Sequence, residues 1–266
     1  MSSTGHDRLA AYLAGPSGFA TLVHLEEVDS TNDEVARRVR DGGPAGLVVV
    51  ADRQTAGRGR SGAEWVDVDG GNLSVSVATG VPGDAATLVP LATGLAVSDA
   101  LKRRGHRAML KWPNDVLVPV DDGELVKVAG ILVDAHDLRA SGGPAFLVIG
   151  IGVDIDWRGV DRSGDAAAWT SLAEVEGDDV DRWEVLHDVL RALEAWLLDV
   201  PQDPHRLLAA YKVRCATLGQ QVHVETPRGA VEGRAVDIDP TGGLVVDTAT
   251  GRQVLMAGQV QHVRPA

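Results

Sequence analysis

Between two strand-like runs, this chain carries a loop that packs three glycines and two arginines into six positions, Gly57-Arg58-Gly59-Arg60-Ser61-Gly62. Upstream, Gly46 to Ala51 is a valine-rich apolar run bounded by glycine and reads as a buried strand. Downstream, Asn72 to Thr79 alternates Leu73, Val75 and Val77 with Ser74 and Ser76 and reads as a half-buried strand. Glycine lets a backbone turn tightly and approach a ligand, and arginine offers forked donors suited to carboxylates and phosphates. The loop therefore reads as an anion-gripping element, with a plain surface loop as the bland alternative. The spacing Gly57-x-Gly59-x-x-Gly62 satisfies the dinucleotide fingerprint, but that motif must open a helix directly after a strand. Ala63 to Gly71 has no helical period. A phosphate-cradling P-loop is excluded because Ala63-Glu64 stands where Lys-Ser/Thr is required.

The chain of 266 residues is long enough for one domain plus a smaller one. Its net charge of −13 opposes general affinity for nucleic acid, so any anion is expected to bind locally. No apolar run can span a bilayer, and the charges and Gly15-Pro16 break in the first 25 residues argue against a secretory signal. A cytoplasmic protein is expected. Cys215 is the lone cysteine and reads as a small buried apolar residue. The eight histidines lack metal-ligand spacing, so no structural metal is expected.

Taken in order, the residues before the first strand-like run, Thr21 to Leu25, are too few for a helix-turn-helix module. Asp29 to Glu34 then leads into a helix, with Thr31 and Glu34 spaced as a capping box. Such a cluster caps a helix and can also present hydroxyl and amide groups to a ligand. Leu88, Leu91, Leu95 and Leu101 mark one face of a helix ending near Lys102-Arg103-Arg104-Gly105. At Lys111-Trp112-Pro113-Asn114-Asp115 a strand is broken by proline, leaving Lys111, Asn114 and Asp115 displayed. A cation, an amide and a carboxylate so close together suit a phosphate, a base or sugar, and magnesium respectively. Turn chemistry alone is the competing account.

Leu125 to Val133 and Phe146 to Val153 read as two further strands, the first carrying Lys127 amid apolar neighbours, the second Gly150-Ile151-Gly152-Val153-Asp154. The glycines let something approach the backbone closely. The polar segment 134–144 reads as their connection. Thr170-Ser171-Leu172 reads as a helix start, and Trp183 to Leu197 repeats at helical spacing. From Gln221 to Val263, short β runs are punctuated by glycine and proline, which suggests a small barrel, with the boundary placed near Cys215: residues 1–214 and 215–266.

Ser30-Thr31-Asn32, the GRGRSG loop with Gln54 ahead and Trp65 behind, KWPND at 111–115, KVAGILVD at 127–134, GIGVD at 150–154, TSL at 170–172 and the terminal β segment together resemble biotin protein ligase. The resemblance spans nearly the whole chain. It implies an α+β fold: a mixed β-sheet with helices, like that of class II aminoacyl-tRNA synthetases, plus a small C-terminal β-barrel. It also implies a two-step reaction, in which biotin and ATP give biotinyl-5′-AMP and a lysine of a biotin carboxyl carrier domain, from an acyl-CoA or pyruvate carboxylase, displaces AMP.

By the same resemblance, Ser30, Thr31, Asn32, Gln54 and the Arg58-Gly59-Arg60 backbone hold biotin, and Lys127 contacts the carboxylate or α-phosphate. Trp65 covers the ligand on loop closure. Trp65, Lys111, Asn114, Asp115 and Asp154 are assigned to the nucleotide, and Asp115 to magnesium or to the incoming amine. Arg60, Lys111, Asp115 and Lys127 are the catalytic candidates. A monomer or weak homodimer is expected, with no nucleic acid or membrane partner.

The chain departs from the family pattern at Ala63, where a third arginine is frequent, and at Asp154, where asparagine is. A catalytically weak biotin-binding module and a lipoate-ligase-like acyl transferase are the alternatives. The second lacks its arginine-rich multi-glycine signature here. A DNA-binding repressor would need an N-terminal module that is not expected.

Overall fold

The structure, a computed structural model, describes residues 3–19, 21–80, 83–120, 123–137, 145–162 and 168–262. Seven strands form the main sheet: β1 (Thr21–Val28), β2 (Leu47–Gln54), β3 (Asn72–Thr79), β4 (Met109–Lys111), β5 (Asp115–Pro119), β6 (Leu125–Asp137) and β7 (Ala145–Asp154). Their order is β1-β2-β3-β7-β6-β5-β4, with β1 and β2 parallel and every other pair antiparallel. Hence the sheet is mixed, as the resemblance implies.

The period of two along β3 decides which face is which. Leu73, Val75 and Val77 enter the larger core beneath α3 (Val89–Arg103) and α5 (Arg182–Gln202), which pack on each other. Ser74 and Ser76 point to the opposite face, where α2 (Thr31–Arg40) lies and a smaller core gathers Val35, Ala36, Val49 and Val148. The site is built on this second face.

One helix escapes the sequence reading: α1 (Ser3–Leu13) packs along α5, with Leu9 fully buried. The short helical segment that the sequence places after Pro201 and Pro204 is α6 (Pro204–Arg214), which follows a proline inside the last turn of α5. The capping box expected at Thr31 and Glu34 is not made. Ser30 is the N-cap, and Glu34 turns instead to Arg37 and Arg38 on its own helix. Thr31 is thereby left to the cavity. The start at Ser171 is as expected: Glu174 of α4 (Leu172–Glu176) accepts from the Ser171 N–H at 2.9 Å.

The C-terminal strands are β8 (Gln221–Thr226), β9 (Gly229–Ile238), β10 (Leu244–Thr248), β11 (Gly251–Leu255) and β12 (Gln259–His262). Val263, expected to end the last strand, lies outside the described residues. The expected barrel is not closed: the order β11-β10-β9-β8-β12 leaves β11 and β12 at opposite edges. After Leu255 the chain turns at Gly258, which packs so tightly on β8 that a Cβ there would lie 2.5 Å from Val224. β12 is thus laid against β8 instead of meeting β11.

This sheet shares the larger core with the main one, contributing Val222, Val224, Ala235, Ile238, Leu244 and Val246. Trp112 is the peg between them: it is buried, its backbone N–H donates to Thr217 Oγ1 at 3.0 Å, and its indole N–H donates to the Gly242 carbonyl at 3.0 Å. The Trp112–Pro113 peptide is cis. No described helix is long and apolar enough to cross a membrane.

Candidate active site

A cavity of about 380 Å³ lies on the α2 face of the main sheet. Its floor is made of small residues, Ser74 on β3, Gly130 on β6 and Gly150 and Gly152 on β7. The register puts Ser74 and Gly130 on either side of Gly152. What comes close to these glycines is the chain itself. A Cβ at Gly152 would sit 2.3 Å from the Trp65 ring, one at Gly130 2.9 Å from it, and one at Gly150 2.3 Å from Asn32 Oδ1.

Hydrogen bonds then fix the polar groups above the floor. Thr31 N–H donates to Gln54 Oε1 at 2.9 Å, and Ser76 Oγ lies 2.7 Å from Thr31 Oγ1 and 2.6 Å from Asn32 Oδ1. The roof is the glycine-arginine loop, folded back on itself by Gly59 N–H to the Ala63 carbonyl (2.7 Å) and Trp65 N–H to the Gly57 carbonyl (3.0 Å). Trp65 is 8% exposed and stacks on Trp169 with centroids 5.6 Å apart. Its indole N–H has no partner among the described residues.

The three cations of the cavity are in different electrostatic states. Arg58 is committed to Asp33 at 2.7 Å and Asp134 at 3.4 Å. Lys127 Nζ pairs with Asp115 at 2.9 Å and lies over the Trp169 and Trp65 rings, 4.4 and 5.6 Å from their centroids. Arg60 reaches only neutral acceptors, Asn114 Oδ1 at 3.3 Å and the Gly258 carbonyl at 3.4 Å. Among the described residues no carboxylate lies within ion-pair distance of it, and burial pushes its guanidinium pKa down. A partly desolvated cation without a counter-ion is a site for an anion.

Asp67, at the exit of the loop, accepts from the Gln54 N–H at 2.7 Å through Oδ2, while Oδ1 has no partner among the described residues. Burial pushes its carboxyl up to about 6 from 3.8. The folded chain therefore holds this proton more tightly than the unfolded one. Its stabilising contribution is complete below 3.8 and is lost as pH rises through about 6. Wild type is expected to lose stability relative to Asp67→Asn between these values, as read from urea midpoints at pH 4 and pH 7; parallel midpoints would contradict it.

The profile of the Biotin/lipoate A/B protein ligase family matches residues 25–154, and that of the Biotin protein ligase C terminal domain matches residues 217–263. A biotin-acetyl-CoA-carboxylase ligase of Mycobacterium tuberculosis is 34% identical over 93% of this chain and 91% of its own length. The chain belongs to the biotin protein ligase family. The ligase of that name from Paracoccus denitrificans is 31% identical, with 89% of this chain and 98% of its own covered. A biotin protein ligase from Aquifex aeolicus, solved in complex with biotin and ATP, superposes with a TM-score of 0.76 at 29% identity, covering 93% of this chain and all of its own.

Most residues expected for a biotin protein ligase meet at the cavity: Ser30, Thr31, Asn32, Gln54, Arg58, Gly59, Arg60, Trp65, Asn114, Asp115 and Lys127 all line it. Two expected nucleotide contacts do not. Lys111 ends the edge strand β4, outside the lining. Asp154 is fully buried below the site, accepting from Asn72 Nδ2 at 3.0 Å, and burial raises its pKa well above the ordinary carboxylate value. The Asp154 carboxyl is thus enclosed within the sheet and does not face the cavity.

Other lining residues of this biotin protein ligase were not read as site residues, among them Ser74 and Gly130 of the floor and three that come from farther along the chain. Trp169 precedes the TSL motif and is held by its bridge to Lys127. Gly258 and Gln259 arrive from the C-terminal sheet, far from the loop in sequence. Trp65, expected as a lid, is already folded onto the glycine floor.

Proposed function

We infer that this chain is an ATP-dependent ligase that activates biotin as biotinyl-5′-AMP and transfers the biotinyl group to a lysine of a biotin carboxyl carrier domain. The observation that carries the reading is Arg60, a half-buried cation lining the same cavity as Lys127 and bonded to neutral acceptors. Among the described residues no carboxylate lies within ion-pair distance of it, and Asp115 acts on it only from farther off. A reaction that brings two anions together needs that kind of preorganised positive charge.

In the first step a biotin carboxylate oxygen attacks the α-phosphorus of ATP and the bond to pyrophosphate breaks. Arg60 and Lys127 stabilise the charge on the carboxylate and the α-phosphoryl oxygens. Thr31, Asn32 and Gln54 supply the donors and acceptors for the biotin head group, and Ser30 and the backbone at Arg58-Gly59-Arg60 close around it. Trp65 and Trp169 cover the acyl and nucleotide ends, with Asn114 on the nucleotide side. In the second step the carrier amine attacks the acyl carbon, AMP leaves with its oxygen, and the amine gives up a proton. Asp115, released when Lys127 turns to the ligand, stands beside the cavity to orient that amine.

Among the described residues no cluster of three or more His, Cys, Asp or Glu forms a metal cage. Magnesium is commonly held by one or two carboxylates together with substrate phosphates, and Asp115 is a suitable carboxylate for an ion arriving with ATP. Bound there, it would neutralise phosphate charge.

The carboxylase that owns the carrier is an acyl-CoA or pyruvate carboxylase on this reading. We propose residues 1–214 as the catalytic unit and 215–266 as a second unit, supported by the separate family matches. A cytoplasmic monomer or weak homodimer without nucleic acid is the accompanying expectation, supported by the net charge of −13.

The test is incubation of purified protein with biotin, ATP and magnesium, without carrier. Biotinyl-adenylate and pyrophosphate are expected, and lipoate is expected not to compete. Tight biotin binding with no adenylate would favour a binding module instead.

A further inference from the structure

We propose that Asp134 is a positioning residue that fastens the closed loop to the cavity floor, coupling loop closure to recognition of the biotin head group. The proposal rests on the function inferred above. One oxygen of this carboxylate, Oδ2, serves both partners: it accepts from Asn32 Nδ2 at 2.9 Å and from Arg58 Nη2 at 3.4 Å. Asn32, on α2, stands directly on the Gly150 floor, and Arg58 belongs to the roof.

The first bond orients Asn32. With its amide N–H committed to Asp134, its carbonyl is turned to Ser76 Oγ and over Gly150. From there the contacts pass through Thr31 to Gln54, the last residue before the loop. A polar circuit thus runs from Gln54 across the floor and back to Arg58, touching the loop at both ends. A ligand that hydrogen-bonds Thr31 or Asn32 joins the network that holds the loop shut.

The second bond explains why Asp134, and not Asp33, is the fastening. The Arg58 and Asp33 side chains are 46% and 43% exposed, and an exposed pair of this kind contributes little in water. Asp134 is 26% exposed and already anchored by Asn32. The Asp134 contact is the longer of the two, 3.4 Å against 2.7 Å, and its importance lies in the Asn32 bond, which holds that carboxylate in place and ties it to the network over the floor. In Asp134→Ala, Asn32 is free to rotate and Arg58 keeps only its exposed partner.

The test uses the full chain as wild type, Asp134→Asn, Asp134→Ala, Arg58→Ala and the Arg58→Ala/Asp134→Ala double variant. Labelled-biotin chase gives the dissociation rate, and adenylate formation gives kcat and the KM for ATP. Asp134→Ala is expected to release biotin about tenfold faster, the scale of a lost charge-assisted bond, with the KM for ATP and the melting temperature unchanged. Asp134→Asn, which keeps an acceptor for Asn32, is expected to fall between. The double variant should release biotin no faster than Asp134→Ala.

Wild-type release rates in Asp134→Ala would overturn the coupling while leaving the function intact, as would single effects that simply multiply in the double variant. Equal losses in biotin and ATP parameters with a lowered melting temperature would also overturn it, as a general structural effect. A wild-type chain that neither binds biotin nor forms adenylate would overturn the functional reading, and this proposal with it.

Discussion

Lys127→Ala is expected to slow adenylate formation about 10²–10³-fold, the cost of removing one preorganised charge-stabilising donor, while the fold persists. Two consequences add to that loss. The Lys127 ammonium lies across the Trp169 and Trp65 rings and pairs with Asp115. Its removal takes one cation from the cavity and leaves the Asp115 carboxylate without its ion-pair partner where two anions must be accepted. Because the same carboxylate is the one assigned to magnesium, the Lys127→Ala/Asp115→Asn double variant is expected to run slower still than Lys127→Ala in pyrophosphate release without carrier. Recovery in the double variant would instead mean that the charge of Asp115 opposes the ligand and does not hold the ion. Arg60→Ala is expected to fall in the same range, whereas loss of Arg58 acts through loop closure.

The second large effect is at a residue with no side chain. Gly152→Ala would set its Cβ 2.3 to 2.8 Å from three atoms of the Trp65 ring, closer than atoms can approach, so the indole must leave the floor. Overpacking of this kind costs roughly 1–3 kcal/mol. Expressed as a closed-loop population, that is about ten- to a hundredfold less adenylate per unit time. Trp65→Ala in the same chain removes the obstacle. In that background Gly152→Ala is expected to cost little more, giving a strongly non-additive cycle. Additive losses would mean that Gly152 acts on something other than Trp65.

Much of the fold was legible because its strands advertise themselves. Asn72 to Thr79 spans the same residues in sequence and structure, since the alternation of Leu73, Val75 and Val77 with Ser74 and Ser76 fixes the register. Expected as half-buried, the strand is buried on both faces up to Ala78, because α2 and the loop cover its polar side. The GIG glycines were legible as points of close approach, though not what approaches them. The helix α1 was not. A short helix is marginal on its own, and this one is held by tertiary packing on α5, which local sequence does not report.

Asp134 was read as the start of a connection, but β6 runs on to Asp137 and so carries it on a strand at the edge of the site. The capping box at Thr31 failed for a related reason. Local chemistry offered Glu34 to the helix start, yet Arg37 and Arg38 compete for it with full charges. Trp169, Gly258 and Gln259 gave no periodic or motif signal, and only tertiary structure brings them to the loop. Closure of the C-terminal barrel was read from strand spacing and from the resemblance, and strand spacing says nothing about whether the first and last edges meet.

The stacked Trp65–Trp169 pair, with Trp157 6.0 Å beyond, has an optical consequence. Three of the six tryptophans of the chain are clustered here, two lining the cavity and Trp157 buried behind them, close enough to exchange excitation. The Lys127 ammonium lies over the two lining rings, where its field displaces indole emission. Any ligand that parts the two rings, or draws Lys127 off them, must change the emission of the whole protein. The chain thus carries a built-in fluorophore for its own loop, and the order of ligand arrival can be followed in real time without a label.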